Sequence, residues 1–298
     1  MIQLMKTSLA HLPEHKQTNI QFLMDTIHDE FEQVRGFATS DKKKHSRIGM
    51  IILFGSYAKG SYVDDPVNSY VSDYDVLVVL NRSELVDEYR IWHTAEERIS
   101  QKVKAPVNIL VHTHAEVNDW LRQGHYFFRD IRAEGIQLYT YSGTALIEPG
   151  ELNAADARTI AQGHFEQWFE SAVEFYEYYE TGKSKKQFKS AAFQLHQSTE
   201  RFLSCILLVF TNYRPKTHNI KALNNLAAQH ATQLTDIFPQ DTKFNRRCFE
   251  LLKRAYIESR YSEHYRITHE ELAWLEKRVL HLQELTNTLC KEKIAAGV

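Results

Sequence analysis

The chain has 298 residues, 43% hydrophobic and 25% charged, which suits a folded protein of two ordinary domains, each with its own core. A formal charge of −2 excludes a global basic field drawing it onto DNA or a membrane and leaves only a local basic patch open. No apolar run reaches spanning length and no signal-type core is present. Cys205, Cys248 and Cys290 show neither metal-ligand spacing nor a disulfide framework, so a reduced, cytoplasmic protein with no membrane partner is expected.

In chain order, Ile20, Leu23, Met24, Ile27, Phe31 and Val34 recur at helical spacing and predict a helix over 15–35. Thr39–Arg47, with Lys42, Lys43 and Lys44, is polar and aperiodic; it reads as a solvated loop or as a contact to RNA phosphates. Met50–Phe54 is a short aliphatic run entering Gly55-Ser56, which predicts a buried strand followed by a tight turn. Val76–Leu80 predicts a second strand, preceded by Asp73-Tyr74-Asp75. Because strand side chains alternate, Asp73 and Asp75 share one face and Tyr74 takes the other. Two such carboxylates repel unless a cation lies between them, and Mg²⁺ takes one or two carboxylates together with nucleotide phosphates. Gly55 lets backbone approach a ligand closely, and the Ser56 hydroxyl can donate to phosphate oxygens. A Gly-Ser turn alone is usually only a turn, and an Asp-x-Asp is more often a solvated edge. Their order and separation outline a metal–nucleotide site.

Asn81-Arg82-Ser83 reads as a turn and N-cap for a helix carrying Leu85, Tyr89, Trp92, Ile99 and Val103, which Pro106 stops. Val107–Val111 is the third predicted strand. Two short helical pieces and a last strand follow between Ala115 and Tyr141; the aromatics Tyr126, Phe127 and Phe128 are core residues or a base-stacking surface. A loop through Gly143, Pro149 and Gly150 predicts a boundary between domains at 1–145 and 151–298. Beyond it the pattern is helical throughout: a long helix ending near Gly182, another over Phe188–Phe210, a short one over His218–Gln229, and then Phe244–Arg260 and Glu270–Cys290.

Gly55-Ser56, Gly60 and Asp73-Tyr74-Asp75 resemble the signature of the polymerase-beta-like nucleotidyltransferase superfamily and its minimal members, with a longer insertion at 61–71. The resemblance implies an α+β domain, a mixed sheet with flanking helices. It also implies catalytic Asp73 and Asp75 holding Mg²⁺ or Mn²⁺, and Gly55 and Ser56 binding an NTP, with ATP the expected one. Many members supply a third acid on the third strand. Here that position is Asn108, which carries no charge and cannot act as a base. His112, on the same strand face, either partly substitutes or is an ordinary polar strand end.

The second half resembles the HEPN domain, through AAFQLHQSTERFLSCILL, RPKTHNIKAL and YIESRYSEHYRIT. An all-α HEPN-like bundle is therefore expected, with a homodimer through its helices. Some HEPN domains are ribonucleases using an Arg and a His with four to six residues between them. Arg214/His218 and Arg260/His264 have only three between, and at either place helix-end structural residues are the alternative. Three functions remain. The first is a nucleotidyltransferase moving an NMP from an NTP to a hydroxyl of a small molecule, protein or RNA, with the HEPN half binding nucleotide or acceptor. The second is a nucleotide-sensing module with weakened catalysis, and the third a toxin–antitoxin-like HEPN ribonuclease controlled by the transferase half.

Overall fold

The structure is a computed structural model that describes residues 5–65 and 70–297, so residues 66–69 of the 61–71 insertion lie outside the described residues. The chain forms two compact units that divide between Glu151 and Leu152.

The first unit opens with α1 (Glu14–Gly36), whose Ile20, Leu23, Ile27 and Phe31 are buried as their spacing requires. The polar segment after it is not loop throughout: α2 (Asp41–Lys44) is a single helical turn. Then come β1 (Ile48–Phe54), α3 (Gly55–Lys59), a two-residue ribbon β2 (Asp64–Asp65) and β3 (Tyr70–Val71), and β4 (Tyr74–Leu80). The unit continues with α4 (Tyr89–Val103), β5 (Val107–Thr113), α5 (His114–Arg122), α6 (Tyr126–Glu134) and β6 (Ile136–Thr140).

The four longer strands form one sheet in the order β5-β4-β1-β6, with β4 and β5 parallel and the pairs through β1 antiparallel. The sheet is mixed because the β4–β5 connection is a helical crossover through α4, whereas β1 has antiparallel neighbours on both sides. Every residue of β1 and of β4 is buried, which explains why both read as continuous apolar runs rather than alternating ones. One face carries Ile51, Leu53, Val76 and Val78 into a core shared with α1 and α4. On the other face Phe54 meets Phe127 of α6 edge to face, with ring centroids 5.6 Å apart.

The expected N-cap at Ser83 is not used. Ser83 closes a turn instead, with the amide of Val86 donating to its carbonyl, and α4 begins after Glu88. The reason is burial: Leu85 and Val86 are drawn into the core, and the indole of Trp92 donates to the Leu85 carbonyl at 3.0 Å.

The second unit is helical: α7 (Ala154–Ser184), α8 (Phe188–Thr211), α9 (Ile220–Ala228), a short 3-10 turn at Thr232–Leu234, α10 (Lys243–Tyr261) and α11 (His269–Ala296). The central helix is α8, which packs against α7, α9, α10 and α11 and is buried on nearly all sides. Side-chain caps mark the starts where sequence chemistry allows them. Asn153, Asn219, Thr242 and Thr268 each accept from a first-turn amide, and Thr268 completes a capping box with Glu271.

Candidate active site

Strand pairing assembles the site of the first unit. Phe54 lies opposite Asp75 in the β1–β4 register, so the chain leaves β1 into Gly55 beside the acid-bearing start of β4. Gly55 has φ 70°, in the left-handed region that costs an L side chain about 1–2 kcal/mol. That conformation lets the strand turn directly into α3. Gly60, at φ 76°, ends the helix in the same region.

Parallel pairing of β4 with β5 puts Asn108 opposite Asp75. The amide nitrogen Nδ2 of Asn108 donates to Oδ2 of Asp73 and to Oδ1 of Asp75, each at 3.0 Å. The orientation follows from charge, because the amide oxygen in that place would face two carboxylates. Asp75 is 2% exposed, while Asp73 and Asn108 are half-buried, so the pair opens to solvent on the Asp73 side.

The two carboxylates lie side by side, an oxygen of each within 3.0 Å of the same Asn108 nitrogen. Such a hard, anionic oxygen pair suits Mg²⁺ or Mn²⁺. Asp73 and Asp75 would hold the ion; Asn108 presents a donor and satisfies the acids rather than adding charge. Among the described residues, no group of three or more His, Cys, Asp or Glu side chains is arranged for a metal.

Tyr74, between the two acids, turns to the opposite face. Its ring stacks on Tyr57 at 4.0 Å, and Tyr57 stacks on Tyr62 at 4.5 Å. Burial, with Tyr74 beside it, raises the Tyr57 phenol far above its ordinary value, so it stays neutral. The buried Lys16 reaches Asp64 at 2.6 Å and the Tyr57 hydroxyl at 3.5 Å, tying α1 to α3 and to the ribbon. This stack fixes the start of β4, and with it the spacing of Asp73 and Asp75.

His112 does not join the acids. Four residues along β5, about 13 Å, it is buried against Trp120 and Phe128, with centroids 4.7 and 5.9 Å away. Its aromatic packing explains why this polar residue ends up inside. Phe127 and Phe128 are likewise core residues, as burial of 7% and 1% exposure shows.

In the second unit, Arg214 and His218 meet at a residue that sequence reasoning passed over. Glu200 of α8 is 4% exposed. Its Oε1 accepts from Nη2 of Arg214 at 2.9 Å and its Oε2 from Nδ1 of His218 at 2.9 Å. Nε of Arg214 also donates to Ser204 Oγ, and His196 lies one helical turn before Glu200, with Nε2 3.6 Å from Oε2. Burial pushes the Glu200 carboxyl up, but the nearby His196 and the hydrogen-bonded His218 outweigh it and hold the group below its ordinary value. The His218 ring stacks on Tyr256 at 4.0 Å, and the Arg214 guanidinium lies 5.1 Å over Trp168. The sequence around it, His196-Gln197-Ser198-Thr199-Glu200-Arg201, is a polar run that reads as a solvated helix face, so local sequence did not mark Glu200.

The second Arg/His pair is separate. Arg260 donates to the Tyr256 carbonyl and lies over the rings of Phe193, Tyr256 and Tyr261, whereas His264 is exposed in the turn after α10. Among the described residues no hydrogen bond joins the two.

The family model for the nucleotidyltransferase domain matches residues 34–123, a span that includes Gly55, Ser56, Asp73, Asp75 and Asn108. The model for the HEPN domain matches residues 165–285, which include Glu200, Arg214 and His218. No curated protein matches the chain.

Proposed function

Since the chain joins an N-terminal nucleotidyltransferase domain to a C-terminal HEPN domain, we propose that it moves an NMP from an NTP, ATP foremost, to an acceptor hydroxyl. The observation that carries the proposal is the side-by-side placement of Asp73 and Asp75, bridged by the Asn108 amide, beside the Gly55-Ser56 turn. Gly55 and Ser56 receive the triphosphate, with backbone approach and a hydroxyl donor. Asp73 and Asp75 hold Mg²⁺, which when bound offsets the negative charge of the phosphates and of the leaving group. The acceptor oxygen bonds to the α-phosphorus, the bond from that phosphorus to the bridging oxygen breaks, and pyrophosphate leaves. Asn108 cannot take the acceptor's proton, so the proton passes to a carboxylate of the pair or to solvent. Asn108 instead holds both carboxylates in register. The test is incubation with each α-labelled NTP and Mg²⁺, reading label transfer and pyrophosphate release. Transfer lost in EDTA and in Asp73→Ala supports the proposal; transfer unaffected by Asp73→Ala overturns it.

A second reading rests on Glu200. A buried carboxylate gripping Arg214 and His218 orders a guanidinium and an imidazole side by side, which favours a phosphodiester-binding or ribonuclease role for the HEPN half despite the short spacing. Cleavage of RNA by the protein without metal, abolished by His218→Ala, would support it.

A further inference from the structure

At the opposite end of the sheet from the acids lies a surface the transfer reaction does not use. The acids sit where β1 ends; this surface is built where β1 begins and β4 stops. Seven residues of β1 separate the two, about 20 Å. Asn81, just past β4, anchors it by accepting from the Arg47 amide at 2.8 Å and donating to the His45 carbonyl at 3.1 Å. Lys43 of α2 pairs with Glu88 before α4 at 2.8 Å, joining the two segments.

Beside Lys43 is a cavity of about 350 Å³ whose lining includes Gln33, Phe37, Thr39, Ser40, Lys43 and Arg90. Phe37 is 84% exposed, and Tyr89 and Tyr141, at 71% and 43%, flank the same end. Aromatic rings left in water, Phe37 most of all, forgo the apolar burial that folding would otherwise supply. Interleaved with them are cations. Lys42, Arg82 and Arg90 are exposed and make no ion pair among the described residues, and Arg47 lies 4.6 Å over Tyr141. Of the nearby acids, Glu88 pairs with Lys43 and the exposed Asp41 with Lys44, while the half-buried Glu84 and the exposed Asp87 oppose the unpaired cations only in part.

Unpaired cations tracking a surface, with exposed rings between them, are what single-stranded nucleic acid requires: phosphates on the cations, bases on the rings. A duplex would bring the charge but hide its base faces. The hydroxyls of Thr39 and Ser40 and the Gln33 amide, beside Phe37, supply donors and acceptors for a 2′-hydroxyl, the group that separates RNA from DNA. We propose that this end of the first unit binds single-stranded RNA, with Phe37 stacking on a base and Lys42, Arg82 and Arg90 contacting phosphates. This goes beyond the transfer reaction and holds whether or not the RNA is the acceptor.

The experiment is fluorescence polarisation of a labelled oligouridylate with the full chain, in EDTA and without NTP, so that failure of the transfer reading leaves it untouched. Lys42→Glu/Arg82→Glu/Arg90→Glu is expected to weaken binding at least a hundredfold. It should also reduce the slope of log affinity against log salt by about 2, at about 0.7 per phosphate contact. Phe37→Ala is expected to weaken single-strand binding about tenfold and duplex binding little. All four positions are exposed, and unchanged circular dichroism confirms that the variants fold. Undetectable binding by the parent chain, or binding unaffected by the triple reversal, overturns the proposal. Equal affinity for oligothymidylate overturns the assignment to RNA, and duplex binding as tight as single-strand binding overturns the stacking role of Phe37.

Discussion

Asp75 on β4 and Asn108 on β5 stand directly opposite each other in parallel register, and the Asn108 amide nitrogen donates to the Asp75 carboxylate at 3.0 Å. The same nitrogen serves Asp73, so one neutral side chain separates two negative charges. Replacing it with an acid removes the donor and adds a third charge. Asn108→Asp is therefore expected to lose about 1–3 kcal/mol of stability in EDTA and to regain most of it in Mg²⁺, with tighter Mg²⁺ binding. Thermal unfolding with and without Mg²⁺ reads both effects. Equal melting of the variant and the parent in EDTA would show that the amide does not hold the acids apart.

Removing one acid should separate chemistry from folding. Asp75→Ala takes one acceptor from Asn108 but leaves Asp73 to it, so the melting temperature should change little. NTP turnover should fall by about 10²–10³-fold, the scale on which loss of a charge-stabilising group acts. An unfolded variant would mean that Asp75 is structural.

Glu200 makes the opposite prediction. Glu200→Ala strips Arg214 and His218 of a shared buried partner and should cost about 3–5 kcal/mol in chemical denaturation. Because its folded value lies below the ordinary 4.5, its contribution is present above that pH and is lost as the pH falls through the folded value. The parent should lose stability on acidification more steeply than Glu200→Gln.

Glu96 supplies a pH effect of the other sign. It accepts from the Ile109 amide at 2.9 Å along the edge strand β5, and burial raises its carboxyl from 4.5 to about 7. The folded chain therefore binds more protons between those values. The contribution is full below pH 4.5 and declines as the pH rises through about 7. Glu96→Gln keeps an acceptor for Ile109 and is expected to flatten this loss, about 1–3 kcal/mol in all, in urea titrations at pH 5 and 7.5.

The fold class was legible because each element announced its own period. The fully apolar runs of β1 and β4 demanded burial on both faces, and the spacing in α1, α7 and α8 demanded a stripe. Local competition spoiled only the details. Ser83 looked like a cap because cap chemistry is local, but burial of Leu85 moved the helix start to Tyr89. The turn at Asp41–Lys44 had too few residues to show a period.

Sequence by itself determined which side chains of one strand share a face, since alternation is a property of the backbone; Asp73, Tyr74 and Asp75 needed nothing more. Whatever depended on two distant segments was decided by tertiary structure. The parallel register of β4 and β5 placed Asn108 between the acids and left His112 among aromatic rings. Helix packing closed Glu200 onto Arg214 and His218, 14 and 18 residues away. A glutamate in a helix is ordinarily solvated, and the polar residues on either side of Glu200, Gln197 to Thr199 and Arg201, suggest nothing else. Only burial, which removes water and leaves the carboxylate to Arg214, His218 and the neighbouring His196, makes it the centre of a site.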